Sequence, residues 1–147
     1  MSCYRRILVA LDGSPDSEAA LAHAVTLARD QNARLTLLSV VPHSPTPVGA
    51  GVSAPPELDD LHEAALRDAL AIVPEDVGIT TRLEHGDAAA TILRLTAEEG
   101  HDLIVMGSHG HSRVRRALLG SVSERVLHTA TVPVLLMRGH KQKDYQT

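Results

Sequence analysis

Residues 103–126 read L-I-V-M-G-S-H-G-H-S-R-V-R-R-A-L-L-G-S-V-S-E-R-V. Leu103-Ile104-Val105-Met106 is a continuous apolar run, the pattern of a strand buried on both faces. Gly107 ends the run, Gly110 follows after two residues, and Gly120-Ser121 follows after nine more. Val122 and Val126, four apart, share one face of a helix. The order is therefore strand, glycine loop carrying Arg113, Arg115 and Arg116, and a helix that begins at a glycine. Ser121-x-x-Glu124 has the form of a capping box, which makes Ser121 the expected N-cap. A helix N-terminus offers unpaired N–H groups and the positive end of its dipole, and glycines let backbone approach an anion. The stretch reads as a phosphate site.

Elements of the same alternating kind lie on either side. Ile7-Leu8-Val9-Ala10-Leu11 is a second buried-strand run, ended by the turn pair Asp12-Gly13. Ser14-Pro15 then reads as an N-cap followed by proline at the first helical position. Ala20, Leu21, Ala24, Leu27 and Ala28 line one face of that helix, which should stop near Gln31-Asn32. Leu35 to Val41 is a further buried strand. Residues 42–56 hold five of the eight prolines and two glycines, and predict a long exposed loop. A helix resumes near Glu57, with Leu58, Leu61, Ala65, Ala69 and Ile72 expected on its inner face, and ends before Pro74. Thr80 to Glu84 has the polar look of an edge strand. Asp87 is the expected N-cap of a helix over 88–99, with Gly100 as its C-terminal stop. Val134-Leu135-Leu136-Met137 reads as a last strand. Five strands alternating with four helices predict one α/β domain over residues 1–138, a doubly wound parallel sheet with helices on both faces. Residues 139–147 read as a polar tail.

Composition removes several function classes. Of 147 residues 44% are apolar and 22% charged, ordinary for a globular domain. Phe and Trp are absent, and Tyr4 and Tyr145 are the only aromatics. The core must be aliphatic, and base-stacking platforms of the RRM or OB type have no side chains to be made from. A net charge of −4 lacks the footprint of a general nucleic-acid binder. Cys3 stands alone, which excludes an intrachain disulfide or a multi-cysteine zinc site. No apolar run approaches a membrane span, and the expected location is the cytoplasm. Lys141 and Lys143 are the only lysines, so a lysine-dependent phosphate loop is not expected.

In doubly wound sheets, ligands bind beyond the carboxyl ends of strands where the strand order reverses. The first strand ends at Asp12-Gly13 and the fourth at Gly107. If these strands are neighbours, one crevice holds both ends. Asp12 could then accept from a ribose hydroxyl while the Ser121 to Ser123 amides and Gly110 hold phosphates. Asp12 could equally cap the helix that begins near Ser14. Neither the Walker A pattern nor the G-x-G-x-x-G dinucleotide fingerprint occurs. His109 and His111 flank Gly110, but no cysteine or carboxylate completes a familiar metal spacing. No G-x-S-x-G elbow appears to support a hydrolase triad.

Gly107-x2-Gly110-x9-Gly120-Ser121 resembles the G-x2-G-x9-G-[ST] signature of the ATP-binding branch of the universal stress protein (UspA-like) family. Ile7 to Ser14, Asp102 to Gly107 and Val132-Pro133-Val134-Leu135 are similar too, so the likeness spans nearly the whole chain. The resemblance implies an adenine nucleotide alpha-hydrolase-like fold with strand order 3-2-1-4-5. It also implies a homodimer through the fifth strand, Val134–Met137, and ATP in the crevice, with Mg or Mn. Carried over by position, Ala10 and Asp12 lie beside the nucleoside and Val40 near the adenine. Met106, Gly107 and Gly110 line the site, and Gly120, Ser121, Val122 and Ser123 meet the phosphates. Arg113, Arg115 and Arg116 stand between these glycines, so at least one guanidinium is expected on a phosphate; Arg113 is counted with the site, and the sequence does not say which of the three it is. The family often has proline where this chain has Ala10. The expectation is a nucleotide-dependent regulator in stress response. A nucleotidyl-transferase or slow ATPase using the same crevice, and a scaffold that binds no nucleotide, remain alternatives.

Overall fold

A computed structural model describes residues 4–43, 56–109 and 119–139 of the chain. Along these residues run β1 (Arg6–Ala10), α1 (Pro15–Gln31), β2 (Arg34–Val41), α2 (Pro56–Ile72) and β3 (Ile79–His85). They are followed by α3 (Ala88–Glu99), β4 (Leu103–Gly107), α4 (Ser121–Thr129) and β5 (Val134–Met137). The strands form one sheet in the order β3-β2-β1-β4-β5, and every neighbouring pair is parallel. This is the doubly wound architecture and the strand order that the sequence predicts. Cys3, residues 44–55 of the proline-rich loop, and residues 140–147 of the tail lie outside the described residues.

Parallel register turns the apolar runs into rows that cross the sheet. Val9 stands opposite Leu37 on one side and Val105 on the other, and Val105 opposite Leu135. This row and the one holding Ile7, Leu35 and Leu103 face α1 and α2. The alternate residues Leu8, Leu38, Ile104 and Met106 face α3 and α4, where they meet Ile92, Leu95 and Val126. Ile7, Leu8, Val9, Leu35, Leu37, Leu38, Ile104 and Val105 are all buried to 1% exposure or less. Each such side chain contributes about 1.5–3 kcal/mol by leaving water, which is how a core without Phe or Trp is sustained. On α1 the inner residues Ala20, Ala24 and Ala28 are small, so the helix lies close to the strands.

The helix ends follow their local chemistry. Ser14 caps α1 by accepting from the Ser17 amide, Pro15 sits in the first turn, and Asn32 closes the helix in the left-handed region. Asp87 caps α3 and Gly100 closes it. The face of α2 differs from expectation. Leu61 and Ile72 are 67% and 64% exposed, whereas Leu66 and Ala69 are buried. The inner stripe runs through His62, Leu66 and Ala69, because the His62 ring is held inward by a hydrogen bond to Ser39 on β2. An apolar periodicity that treats histidine as an outer residue rotates this helix wrongly.

One carboxylate fixes how α1 meets the far half of the sheet. Asp16, in the first turn of α1, has a side chain only 8% exposed. Its Oδ2 accepts from the Ser108 hydroxyl at 3.1 Å and the His109 amide at 3.0 Å. Its Oδ1 accepts from the Gly139 amide at 2.7 Å. The contact is close enough that a Cβ on Gly107 would sit 2.7 Å from the Asp16 Cβ and 2.9 Å from the Ser17 amide nitrogen. Gly107 is therefore required by helix–strand packing. Gly139, at the start of the stretch read as tail, is docked against Pro15 in the same way. Burial alone would raise the Asp16 carboxyl; the Gly139 amide, Ser108 hydroxyl and His109 amide outweigh it and hold it below the ordinary 3.8.

His101 forms a second buried polar joint at the opposite end of β4. It is 3% exposed, with Nε2 2.9 Å from Thr36 Oγ1 and Nδ1 3.4 Å from the Leu95 carbonyl oxygen. A neutral ring protonated on Nδ1 satisfies both, donating to Leu95 and accepting from Thr36. Burial lowers the His101 pKa below 6.5, with the Leu95 carbonyl opposing it.

The two joints predict responses to substitution in two separate pH windows, with both contributions lost as pH falls. Asp16 is depressed in the folded state, so its stabilisation is present above 3.8 and lost as pH falls through the lower folded value. Asp16→Asn should cost about 2–3 kcal/mol at neutral pH. In urea unfolding, the gap between the two proteins should hold down to about pH 5 and close below about pH 4; a gap that persists at lower pH would contradict the charged network. His101 is also depressed, but its protonated form is the one folding excludes. Stability should thus decline as pH falls below about 6.5. His101→Gln should remove that decline in thermal melts, while itself costing roughly 1–3 kcal/mol at pH 7. An undiminished decline in the variant would assign the effect to another group.

Candidate functional site

The carboxyl ends of β2, β1 and β4 open into a crevice of about 510 Å3 at the point where strand order reverses. Ala10, Asp12, Val40, Met106, Gly107, Gly120, Ser121, Val122 and Ser123 all line it. These positions come from four separate regions of the chain and line one crevice. Gly110, Arg113, Arg115, Arg116 and His111 lie outside the described residues.

The middle of the crevice belongs to β1. Leu11 continues the ladder through its amide to the Leu38 carbonyl. The chain then turns at Gly13, whose φ of 80° is in the left-handed region that favours glycine. Asp12 Oδ1 accepts from the Ser14 amide at 2.9 Å, an Asx-type turn that fixes the carboxylate at the strand end. Asp12 thus braces the approach to α1, while the capping oxygen itself is the Ser14 hydroxyl.

On the β4 side, the start of α4 forms the wall. Gly120, not Ser121, is the N-cap, with extended backbone and no side-chain cap hydrogen bond. The reason is a neck in the chain: the Gly120 amide donates to the Ser108 carbonyl at 2.7 Å, pinning the helix start beside the end of β4. Ser121 is consequently the first helical residue and exposed. The Ser123 hydroxyl donates to the Gly107 carbonyl at 2.8 Å, so this side chain secures α4 to β4. What Ser121, Val122 and Ser123 can offer a ligand is first-turn N–H groups, which have no partner within an α-helix. His109 stands beside them, its carbonyl 3.4 Å from the Ser14 hydroxyl and its Nδ1 3.2 Å from the Ser108 hydroxyl.

The β2 side is apolar. Leu38, Val40 and Pro42 meet Leu58 and His62 of α2 and Ile92 of α3. Leu58, His62, Ala88 and Ile92 are lining residues that the sequence reading did not assign. The available signal was the four-residue spacing of Leu58, His62 and Leu66 on α2, masked by a histidine in an otherwise apolar stripe. Among the described residues, Asp12 is the one carboxylate on the wall, and neither lysine nor arginine lines it. No group of three or more histidine, cysteine or acidic residues suited to a metal occurs among the described residues. Likewise no helix among them is long and apolar enough to cross a membrane.

This geometry has counterparts. The model of the universal stress protein family matches residues 3–138. Universal stress protein A homolog 1 of Coxiella burnetii is 34% identical over 137 residues, covering 90% of this chain and 94% of that protein. The structure of universal stress protein UspA from Lactobacillus plantarum superposes with a TM-score of 0.77 at 29% identity, covering 92% of this chain and 98% of that one. A universal stress protein solved in complex with cAMP gives a TM-score of 0.73 at 27% identity, covering 95% of this chain and all of that one, 100%. With residues 3–138 matched by the family model and a relative 34% identical over nearly the full length of both chains, this chain belongs to the universal stress protein family.

Proposed function

We propose that the crevice binds an adenine nucleotide, ATP, and that the bound state regulates what the protein presents to its partners during stress. The observation that carries this reading is the order of chemistry along the carboxyl edge of the sheet. An apolar wall at the β2 end, the Asp12 carboxylate at β1, and the N–H groups of α4 beside β4 lie in sequence. A base, a ribose and a phosphate chain need those environments in that order. The related structure with cAMP supports the same class of ligand.

Ser121, Val122 and Ser123 would receive phosphate oxygens through their amides, with Gly110 and Arg113 as further phosphate contacts. Gly107 and Met106 form the floor, Ala10 and Val40 flank the nucleoside, and Gly120 lets the helix start approach. Mg or Mn would be carried mainly by the phosphates. Asp12 fits such an ion as a single protein carboxylate, the usual share for Mg bound with nucleotide. The general bases on the wall, Asp12, His62 and His109, are each engaged by a neighbour in the fold, which favours a binding and switching role over rapid turnover. Pairing of a second copy along the edge of β5, whose Val134 to Met137 are all half-buried, would complete a cytoplasmic homodimer.

Titration calorimetry of the full chain with ATP and Mg tests this directly, and saturable binding is the expected result. Asp12→Asn keeps the acceptor for the Ser14 amide but removes the charge, and should weaken ATP about tenfold. Gly110→Val should weaken it further by crowding the loop. Absence of binding, or full affinity in both variants, would sink the proposal.

A further inference from the structure

At the apolar end of the crevice one polar joint ties α2 to β2. Ser39 lies on β2 between Leu38 and Val40, with 0% exposure, and its same-face neighbours Leu37 and Val41 are equally buried hydrocarbon. A buried hydroxyl among such residues is costly without a partner. Its partner is His62, whose Nδ1 lies 2.6 Å from Ser39 Oγ. The His62 ring, half-buried on α2, also lines the crevice beside Val40, Pro42 and Leu58. The hydrogen bond therefore clamps an imidazole into the wall where the nucleotide reading puts the base.

Composition makes that ring distinctive. The chain has no Phe or Trp. Tyr4 packs in the cluster under α1 and α2, away from the crevice, and Tyr145 lies outside the described residues. The other lining imidazole, His109, is engaged with Asp16 and Ser108 near the phosphate end. At the base end, His62 is the one planar π-surface among the described lining residues. Purines bind proteins by stacking on such faces, and a ring already fixed in orientation loses little freedom on binding.

We infer that His62, clamped by Ser39, is a specificity-determining residue that stacks on the nucleobase and favours purines over pyrimidines. This rests on the nucleotide reading of the crevice. ATP and CTP share their ribose and triphosphate, so their affinity ratio isolates the base end. In calorimetry with the full chain, His62→Ala should lose about tenfold in ATP affinity and about threefold or less in CTP affinity, narrowing the ratio. His62→Phe, which keeps a ring while dropping the hydrogen bond to Ser39, should recover most of the ATP preference. Ser39→Ala should give an intermediate ratio, because the ring is present but unclamped. Equal losses for ATP and CTP in His62→Ala, or no loss of either, would overturn the assignment while leaving nucleotide binding intact. Failure of the unaltered chain to bind ATP would overturn the nucleotide reading, and this inference with it.

Discussion

The site depends on the close approach of α1 to the end of β4. Asp16 and Gly107 make that approach possible together: the glycine removes the Cβ that would strike the helix backbone, and the carboxylate gathers the donors that emerge there. Ser108 and His109 follow β4 and Gly139 stands two residues past β5, so one side chain ties the first turn of α1 to the exits of two strands. Charge-assisted hydrogen bonds of this kind are about twice as strong as neutral ones. They also set direction. The chain leaving β4 is held at its start by Asp16 and at its return by the Gly120–Ser108 hydrogen bond. The glycine loop is thus anchored at both ends before any ligand arrives.

From that anchorage the rest of the crevice follows by topology. Because β1 lies between β2 and β4, the two loops beside β1 diverge and leave a gap above it. The helices on opposite faces then wall the gap, α2 from one side and α3 with α4 from the other. The walls differ chemically because their elements differ in what they have to bury. Along β2 the strand is hydrocarbon on both faces apart from Arg34 at its start, Thr36 and Ser39, so its end is apolar. At α4 the wall is the open end of a helix. The polarity gradient across the crevice is a consequence of strand order and helix polarity rather than of a cluster of charged residues.

Much of this was legible in the sequence because it is written in local rules. Continuous apolar runs marked β1, β2, β4 and β5, and Ser14, Asp87 and Gly100 marked helix ends through chemistry that acts within a few residues. Strand order was legible only through family resemblance, since no local rule orders parallel strands. What stayed hidden was set by contacts distant in sequence. By local rules Asp16 is an ordinary acidic residue of a first helical turn, yet its partners are 92, 93 and 123 positions away. Ser121 had the sequence form of a cap, but the Gly120–Ser108 hydrogen bond moved the helix start by one residue. His62 broke the apolar period of α2 because its polar partner lies on a strand, out of reach of any periodicity argument.

The open end of α4 sets it apart from the capped helices α1 and α3. Ser14 and Asp87 cap α1 and α3 with side-chain oxygens, each worth about 1 kcal/mol. In α4, only nine residues long, Gly120 provides no such oxygen. A short helix without a cap must be held by other means, and here it is held from beneath. Val126 is fully buried against the sheet, Ser123 bonds the Gly107 carbonyl, and Arg125 pairs with Asp87 at the start of α3. All of these contacts lie on the helix flank, and none occupies the first-turn amides. A side-chain cap at Gly120 would place its own oxygen against these N–H groups. Securing α4 through its flank leaves those N–H groups for a ligand, and it seats them on the same Gly107 that α1 requires.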